Sequence, residues 1–191
     1  MRFSADHLAL LERGKHPFVK VAWASLISFL FYHRRLTLPD IPSPLKEELS
    51  ERTDGFSVKK ACFVSLKKDG DLRGCIGTVT PTKSCLVEEI IDNAVSSAIS
   101  DPRFPPLSPE ELNDLSISVD ILEEPFKAKL EDIDPARYGI IVEQGARKGL
   151  LLPRLAGVDT AEVQLKIASA KGGIDLSKPF NILLFESTRY E

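Results

Sequence analysis

Two short β-like runs, Ala61–Leu66 (ACFVSL) and Leu72–Val79 (LRGCIGTV), are separated by Lys67-Lys68-Asp69-Gly70-Asp71. Alternating apolar side chains on either side of a polar, glycine-containing turn predict an antiparallel hairpin, and a hairpin commits the neighbouring chain to sheet. If Leu66 faces Leu72, then Val64 faces Gly74 and Cys62 faces Ile76, which makes one apolar face. The other face carries Ala61, Phe63 and Ser65 opposite Gly77, Cys75 and Arg73. A slip of one residue would drive Arg73 onto the apolar face. The favoured register sets Arg73 and Cys75 on one side, two residues apart. It also sets Cys62 and Cys75 on opposite sides, where no disulfide can join them.

Helical patterns surround this hairpin. Ser4–Arg13 reads as a short helix capped by Ser4 or Asp6 and ended by a left-handed Gly14. Pro17 suits the first turn of a second helix, whose apolar face is Phe18, Ala22, Leu26, Phe29 and His33, with His33 as a packing residue. Residues 39–48 (PDIPSPLKEE) read as a stiff exposed connection. Leu86–Ile99 has an amphipathic helical period and stops at Ser100-Asp101-Pro102, because a residue before proline disfavours helical angles. Ser108-Pro109-Glu110-Glu111 has the form of a capping box that opens a short helix.

Strand signals return further along. Leu115, Ile117, Val119 and Ile121 alternate with polar residues as in a half-buried strand. YGIIVEQ and GLLLPRL flank a turn and predict a second hairpin, Thr160–Ala170 reads as a helix ended at Lys171-Gly172-Gly173, and FNILLFES closes the chain as a strand. Helices and hairpins mix without regular βαβ alternation. The expected class is α+β, with a largely antiparallel sheet, flanking helices and two small subdomains sharing one core.

Composition removes several functions. With 25 basic against 28 acidic residues the net charge is -3, which argues against a whole-surface nucleic-acid binder. The 3 cysteines, Cys62, Cys75 and Cys85, form no disulfide framework and point to a reducing, cytoplasmic setting. The N-terminus lacks the charged flank and long apolar run of a signal peptide, and the longest apolar stretch is broken by Lys20, Ser25 and Ser28, so no membrane segment is expected. His7, His16 and His33 sit far from other ligand types, so no metal or other cofactor is expected. Neither a glycine-rich phosphate loop nor a serine nucleophile elbow is present.

The chemistry-bearing constellation is Arg73, Cys75, Asp101 and Arg103. Gly74 and Gly77 bracket Cys75, and glycine inside a strand marks a bulge or a close approach by a ligand or another backbone. A guanidinium beside the thiol would favour the thiolate and make Cys75 a candidate nucleophile. Equally, Cys75 suits a small buried hydrophobe whose glycines make room for a helix. Asp101 and Arg103 suit either a site for a small polar ligand or an ion-pair staple of a proline-rich loop. Both pairs of readings stand at this level.

Leu72-Arg73-Gly74-Cys75-Ile76-Gly77 resembles the signature of the AMMECR domain family, and Asp101-Pro102-Arg103-Phe104-Pro105-Pro106-Leu107 resembles its second motif. Cys62–Leu66, Ile117-Ser118-Val119, Tyr138–Val142, Leu151-Leu152-Pro153 and Lys171–Ile174 resemble further family segments, so the likeness spans roughly residues 60–186. Arg154 stands where bacterial members often carry Gln, and Trp23 is the only tryptophan, where members often have others near the C-terminus. The resemblance implies one AMMECR-type domain over 1–191, with a helical part over about 1–50 and a motif-bearing α+β part over about 51–191. It adds Phe104 to the binding residues Arg73, Gly74, Gly77, Asp101 and Arg103. It also implies a binding or accessory component of the prokaryotic AmmeMemoRadiSam set, acting with a Memo-like, dioxygenase-like protein and a radical S-adenosylmethionine protein. The alternative is an enzyme using Cys75 in a cleft lined by Arg73, Asp101 and Arg103.

Overall fold

The structure, a computed structural model, describes residues 3–191. Three helices come first: α1 (Ala5–Leu11), α2 (Pro17–Tyr32) and α3 (Ser43–Arg52). The hairpin β1 (Cys62–Lys68) and β2 (Asp71–Gly77), helix α4 (Leu86–Ile99) and strand β3 (Leu115–Leu122) follow. The chain continues through β4 (Phe126–Ala128), β5 (Gly139–Gln144), β6 (Arg147–Leu151), α5 (Ala161–Gly172), β7 (Asn181–Phe185) and β8 (Ser187–Tyr190). Two four-stranded sheets result, ordered β2-β1-β3-β8 and β4-β7-β5-β6, and the strand pairs are antiparallel. The chain divides into two compact units, one reaching Ile121 and including Arg189–Glu191, the other Leu122–Thr188.

In the first unit, α4 lies on β1 and β2 and α2 lies on α4. Cys62, Val64 and Leu66 of the hairpin meet Ile90, Ala94 and Ala98 of α4 in one buried cluster. Polar side chains of α4 fasten that contact. Asn93 donates to the Cys62 carbonyl at 3.0 Å, and Ser97 donates to the Val64 carbonyl at 2.7 Å while accepting the Ile76 N–H at 2.9 Å. Each thereby satisfies a backbone group that burial would otherwise leave costly. Ser25 of α2 similarly donates to the Ile91 carbonyl at 2.7 Å. The second unit has its own cluster, with Ile140, Val142, Leu151 and Leu184 packed under Ala168 of α5.

Several expectations are met at residue level. Ser4 caps α1, Pro17 opens α2, α4 has the predicted limits, and Gly173 ends α5 at φ 62. Others are corrected. Gly14 is not left-handed; a Cβ there would lie 3.0 Å from the Lys20 nitrogen, so the position needs smallness rather than positive φ. His33 is no packing residue: it is exposed and caps α2 in the left-handed region at φ 53. α2 is buried on almost every side, which an amphipathic reading of one face misses. Residues 39–48 are not a plain connection, because α3 starts at Ser43 with Pro44 in its first turn, where a missing N–H costs nothing. Strand β3 is buried on both faces beyond Ser116, not half-buried. Instead of one shared core, each unit has its own cluster. Helices α1–α3 and the hairpin lie in the same compact unit, which reaches Ile121. Strand β8 follows β7 as a separate strand, and β4 was not anticipated.

Candidate functional site around Cys75

The hairpin keeps its predicted faces but not its predicted register. Val64 pairs with Ile76 and Leu66 with Gly74, two residues away from the expected Leu72, and then Lys67 pairs with Leu72. Arg73 is thereby left as the extra residue of a β-bulge, a device that re-aims a side chain. The alternation that set Arg73 beside Cys75 is interrupted at Arg73 itself. β2 is the edge strand of its sheet.

The re-aimed guanidinium is fully engaged. Arg73 Nε and Nη2 donate to the two oxygens of Glu111 at 2.8 and 2.9 Å, and Nη1 donates to the Pro105 carbonyl at 3.0 Å. Glu111 also accepts the Ser108 N–H at 3.0 Å, so the capping-box acid doubles as the partner of Arg73. The Arg73 hydrogen bonds hold the Glu111 carboxyl below the usual carboxylate range.

Asp101 ends the other arm of the site. It follows α4, is buried, and accepts from Arg103 twice, at 2.9 and 2.7 Å. The same carboxylate accepts the backbone N–H of Cys75 at 2.9 Å and that of Arg103 at 3.1 Å. The Arg103 bonds, then these N–H groups, hold Asp101 well below the ordinary range of an aspartate. The Phe104 ring lies under both guanidinium groups, with Arg73 at 5.9 Å and Arg103 at 5.5 Å from its centre. Arg73, Cys75, Asp101, Arg103 and Phe104 therefore do lie together, but through carboxylate pairs rather than around an open charge.

The two glycines have protein neighbours. A Cβ on Gly74 would stand 2.2 Å from the Ser97 carbonyl oxygen of α4, and one on Gly77 would stand 2.3 Å from the Phe63 ring. Both positions answer to close packing.

Cys75 is part-buried and unpaired with any other cysteine. Its sulfur accepts from the Ser65 hydroxyl at 3.2 Å. Burial raises the thiol above its usual range, against smaller lowering effects of that hydroxyl and of Arg103. Arg73, expected to favour the thiolate, is not among the groups that set it. Ser65 pairs across the sheet with both Cys75 and Ser118, and Phe63 pairs with both Gly77 and Asp120. Ser118 and Asp120 consequently share the face of Cys75. Asp120 is buried and takes Arg189 bidentately at 3.0 and 2.9 Å, which raises the arginine further.

Ser65, Glu111, Ser118, Asp120 and Arg189 are the members that reading the sequence missed. Asp120, an acid inside an apolar strand, was the available signal. Arg189 lies 69 residues away along the chain and gave none. The histidines lie elsewhere: His7 meets the Tyr32 hydroxyl at 3.2 Å, His16 caps α2, and His33 ends it. Among the described residues no group of three or more His, Cys, Asp or Glu is placed to hold a metal ion, and no helix is long and apolar enough to cross a membrane.

A two-unit α+β fold with an arginine-braced cysteine hairpin defines the class, and comparison with known proteins places it. The chain belongs to the AMMECR1 family, whose model matches residues 19–190. A protein of Thermotoga maritima is 46% identical over 181 residues, covering 93% of this chain and 99% of that one. One of Clostridium acetobutylicum is 43% identical over 190 residues; all of this chain is covered, yet it spans only 39% of that protein. The crystal structure of an uncharacterized protein from Pyrococcus horikoshii is similar with a TM-score of 0.78 and 30% identity, over 93% of this chain and 90% of that one.

Proposed function

We propose that this domain is a binding or accessory component, acting with a Memo-like, dioxygenase-like protein and a radical S-adenosylmethionine protein, and that it performs no covalent chemistry of its own. One observation carries the non-catalytic part. The arginines around Cys75 are each locked to a carboxylate, Arg73 to Glu111, Arg103 to Asp101 and Arg189 to Asp120. A nucleophile needs a base or a lowered pKa, and burial works in the opposite direction here. Arg103 is half-exposed over Phe104, which supports a reading as a contact surface for a small polar group or a partner. The Clostridium relative supports the accessory role, since most of its length lies outside the matched region. The free cysteines support a reducing, cytoplasmic setting.

The test is direct association. The domain is mixed with a Memo-like and a radical S-adenosylmethionine protein encoded in the same genome, and complex formation is followed by biolayer interferometry. Binding that weakens in Arg103→Ala, with the melt largely kept, supports the reading. No association with either protein overturns the partnership, and rapid single-site alkylation of Cys75 at neutral pH would favour the nucleophile instead.

A further inference from the structure

The face of the first sheet that carries Cys75 continues along β1 and β3 to a pocket of about 260 Å³. Lys67 pairs with Ser116 across the two strands, one step along from the Ser65–Ser118 pair, so Lys67, Ser116 and Ser118 stand on that face. Arg13 and Lys15, from the turn between α1 and α2, also line the pocket, as does Trp23 of α2. The Arg13 guanidinium sits 5.4 Å from the Trp23 ring centre and donates to the carbonyls of Leu112 and Asn113 at 3.1 and 2.7 Å.

Two features set this pocket apart. The first is charge. In the first unit, Arg34, Arg35, Arg52, Arg73, Arg103 and Arg189 each hold a carboxylate. Arg13, among the described residues, holds none, and neither Lys15 nor Lys67 is within ion-pair distance of an acid. Arg13, Lys15 and Lys67 therefore border one small concavity against a single acidic residue, Glu191. The second is the presence of uncharged donors: Ser116 and Ser118 both line the pocket, and Ser118 is only 6% exposed.

We propose that this pocket binds the phosphate group of a small phosphorylated molecule. A guanidinium and two ammonium groups attract a multiply charged oxyanion more strongly than a single carboxylate. The Ser116 and Ser118 hydroxyls supply uncharged donors to the remaining oxygens. The pocket is too small for a large ligand to bury itself, which suits a phosphate on a compact body. Glu191, also in the lining, is the opposing charge; its main-chain oxygen accepts the Lys15 N–H at 3.2 Å.

Trp23, the only tryptophan, reports on the pocket by its own fluorescence. Inorganic phosphate, pyrophosphate and glycerol phosphate are titrated at constant ionic strength, with chloride and acetate as controls. A saturable change in emission with the phosphates is expected, absent with the controls. Affinity should fall about tenfold or more in the double variant Lys15→Gln/Lys67→Gln and severalfold in Ser118→Ala, and rise in Glu191→Gln. Lys15 is exposed and Lys67 part-exposed, so the melt should stay within a few degrees and separate lost binding from lost folding. Tighter binding of glycerol phosphate than of inorganic phosphate identifies an organic ester as the ligand class. The reverse order identifies free phosphate and overturns the ester. Equal responses to chloride, no saturation, or unchanged affinity in the double variant overturn the site.

Discussion

Asp101 Oδ2 accepts the backbone N–H of Cys75 at 2.9 Å while Arg103 grips both oxygens of the same carboxylate. The segment after α4 is thereby clamped to the edge strand of the first sheet, and a row of backbone groups that would invite foreign strand pairing is partly occupied. The acid is buried and its arginine half-exposed, so the two partners should not be equivalent. Asp101→Asn should cost about 1–3 kcal/mol, since it weakens several bonds to a charged acceptor at once. Arg103→Ala should cost less, about 1 kcal/mol, because the N–H bonds to Asp101 remain. Urea denaturation of both variants decides this; a larger loss for Arg103→Ala would mean that the arginine, not the acid, braces the strand.

Acid should act through the same carboxylates. Asp101 and Glu111 both titrate below their ordinary values in the folded chain, chiefly because of Arg103 and Arg73. Their contribution is thus present above the unfolded pKa, near 4, and is lost as pH falls through the lower folded values. The urea midpoint should decline steadily between about pH 5 and pH 2, and Asp101→Asn should flatten that decline. An unchanged slope in the variant would show that Asp101 is not a source of the acid sensitivity.

Cysteine reactivity should follow burial. Cys62 is fully buried with its thiol pushed up to about 12, and Cys85 is buried too. Cys75 is part-exposed and also raised. Iodoacetamide at pH 7 should therefore label Cys75 first, but more slowly than a free cysteine, with the rate rising as pH increases past 9. Cys62 and Cys85 should label only in denaturant. Cys75→Ser should leave stability within about 1 kcal/mol, because Ser65 keeps an acceptor at that place. Mass spectrometry of the labelled peptides reads the order directly.

Much of this arrangement was legible in the sequence because it is local. The faces of the hairpin, the limits of α4, the capping box at Ser108 and the end of α5 each follow from residues within a few positions of one another. The register was not legible, because alternation fixes which face a residue takes but not a two-residue shift absorbed by a bulge. The partners of the arginines were not legible either. Glu111 stands 38 residues from Arg73 and Asp120 stands 69 from Arg189, and ion pairing at such separations leaves no periodic trace. α3 was hidden by its prolines, which read as breakers although one sits where a helix tolerates it.

Gly74→Ala separates packing from ligand access at the motif. The added methyl would meet the Ser97 carbonyl at 2.2 Å, and that contact is backbone, so it cannot rotate away. Ser97 also holds the Val64 carbonyl and the Ile76 N–H, so a shift of α4 away from Gly74 would strain both bonds. Overpacking of this kind should cost about 1–3 kcal/mol, shared between the clash and the loosened bonds. Gly70→Ala, at the hairpin tip, is the control: nothing lies within 4 Å there, and the cost is that of a φ of +89 alone, about 1 kcal/mol. Thermal melts of the two variants should therefore rank Gly74→Ala as the more damaging. If Gly74→Ala instead melts like the parent protein while losing association with a Memo-like partner, the glycine serves an approaching molecule rather than the approach of α4.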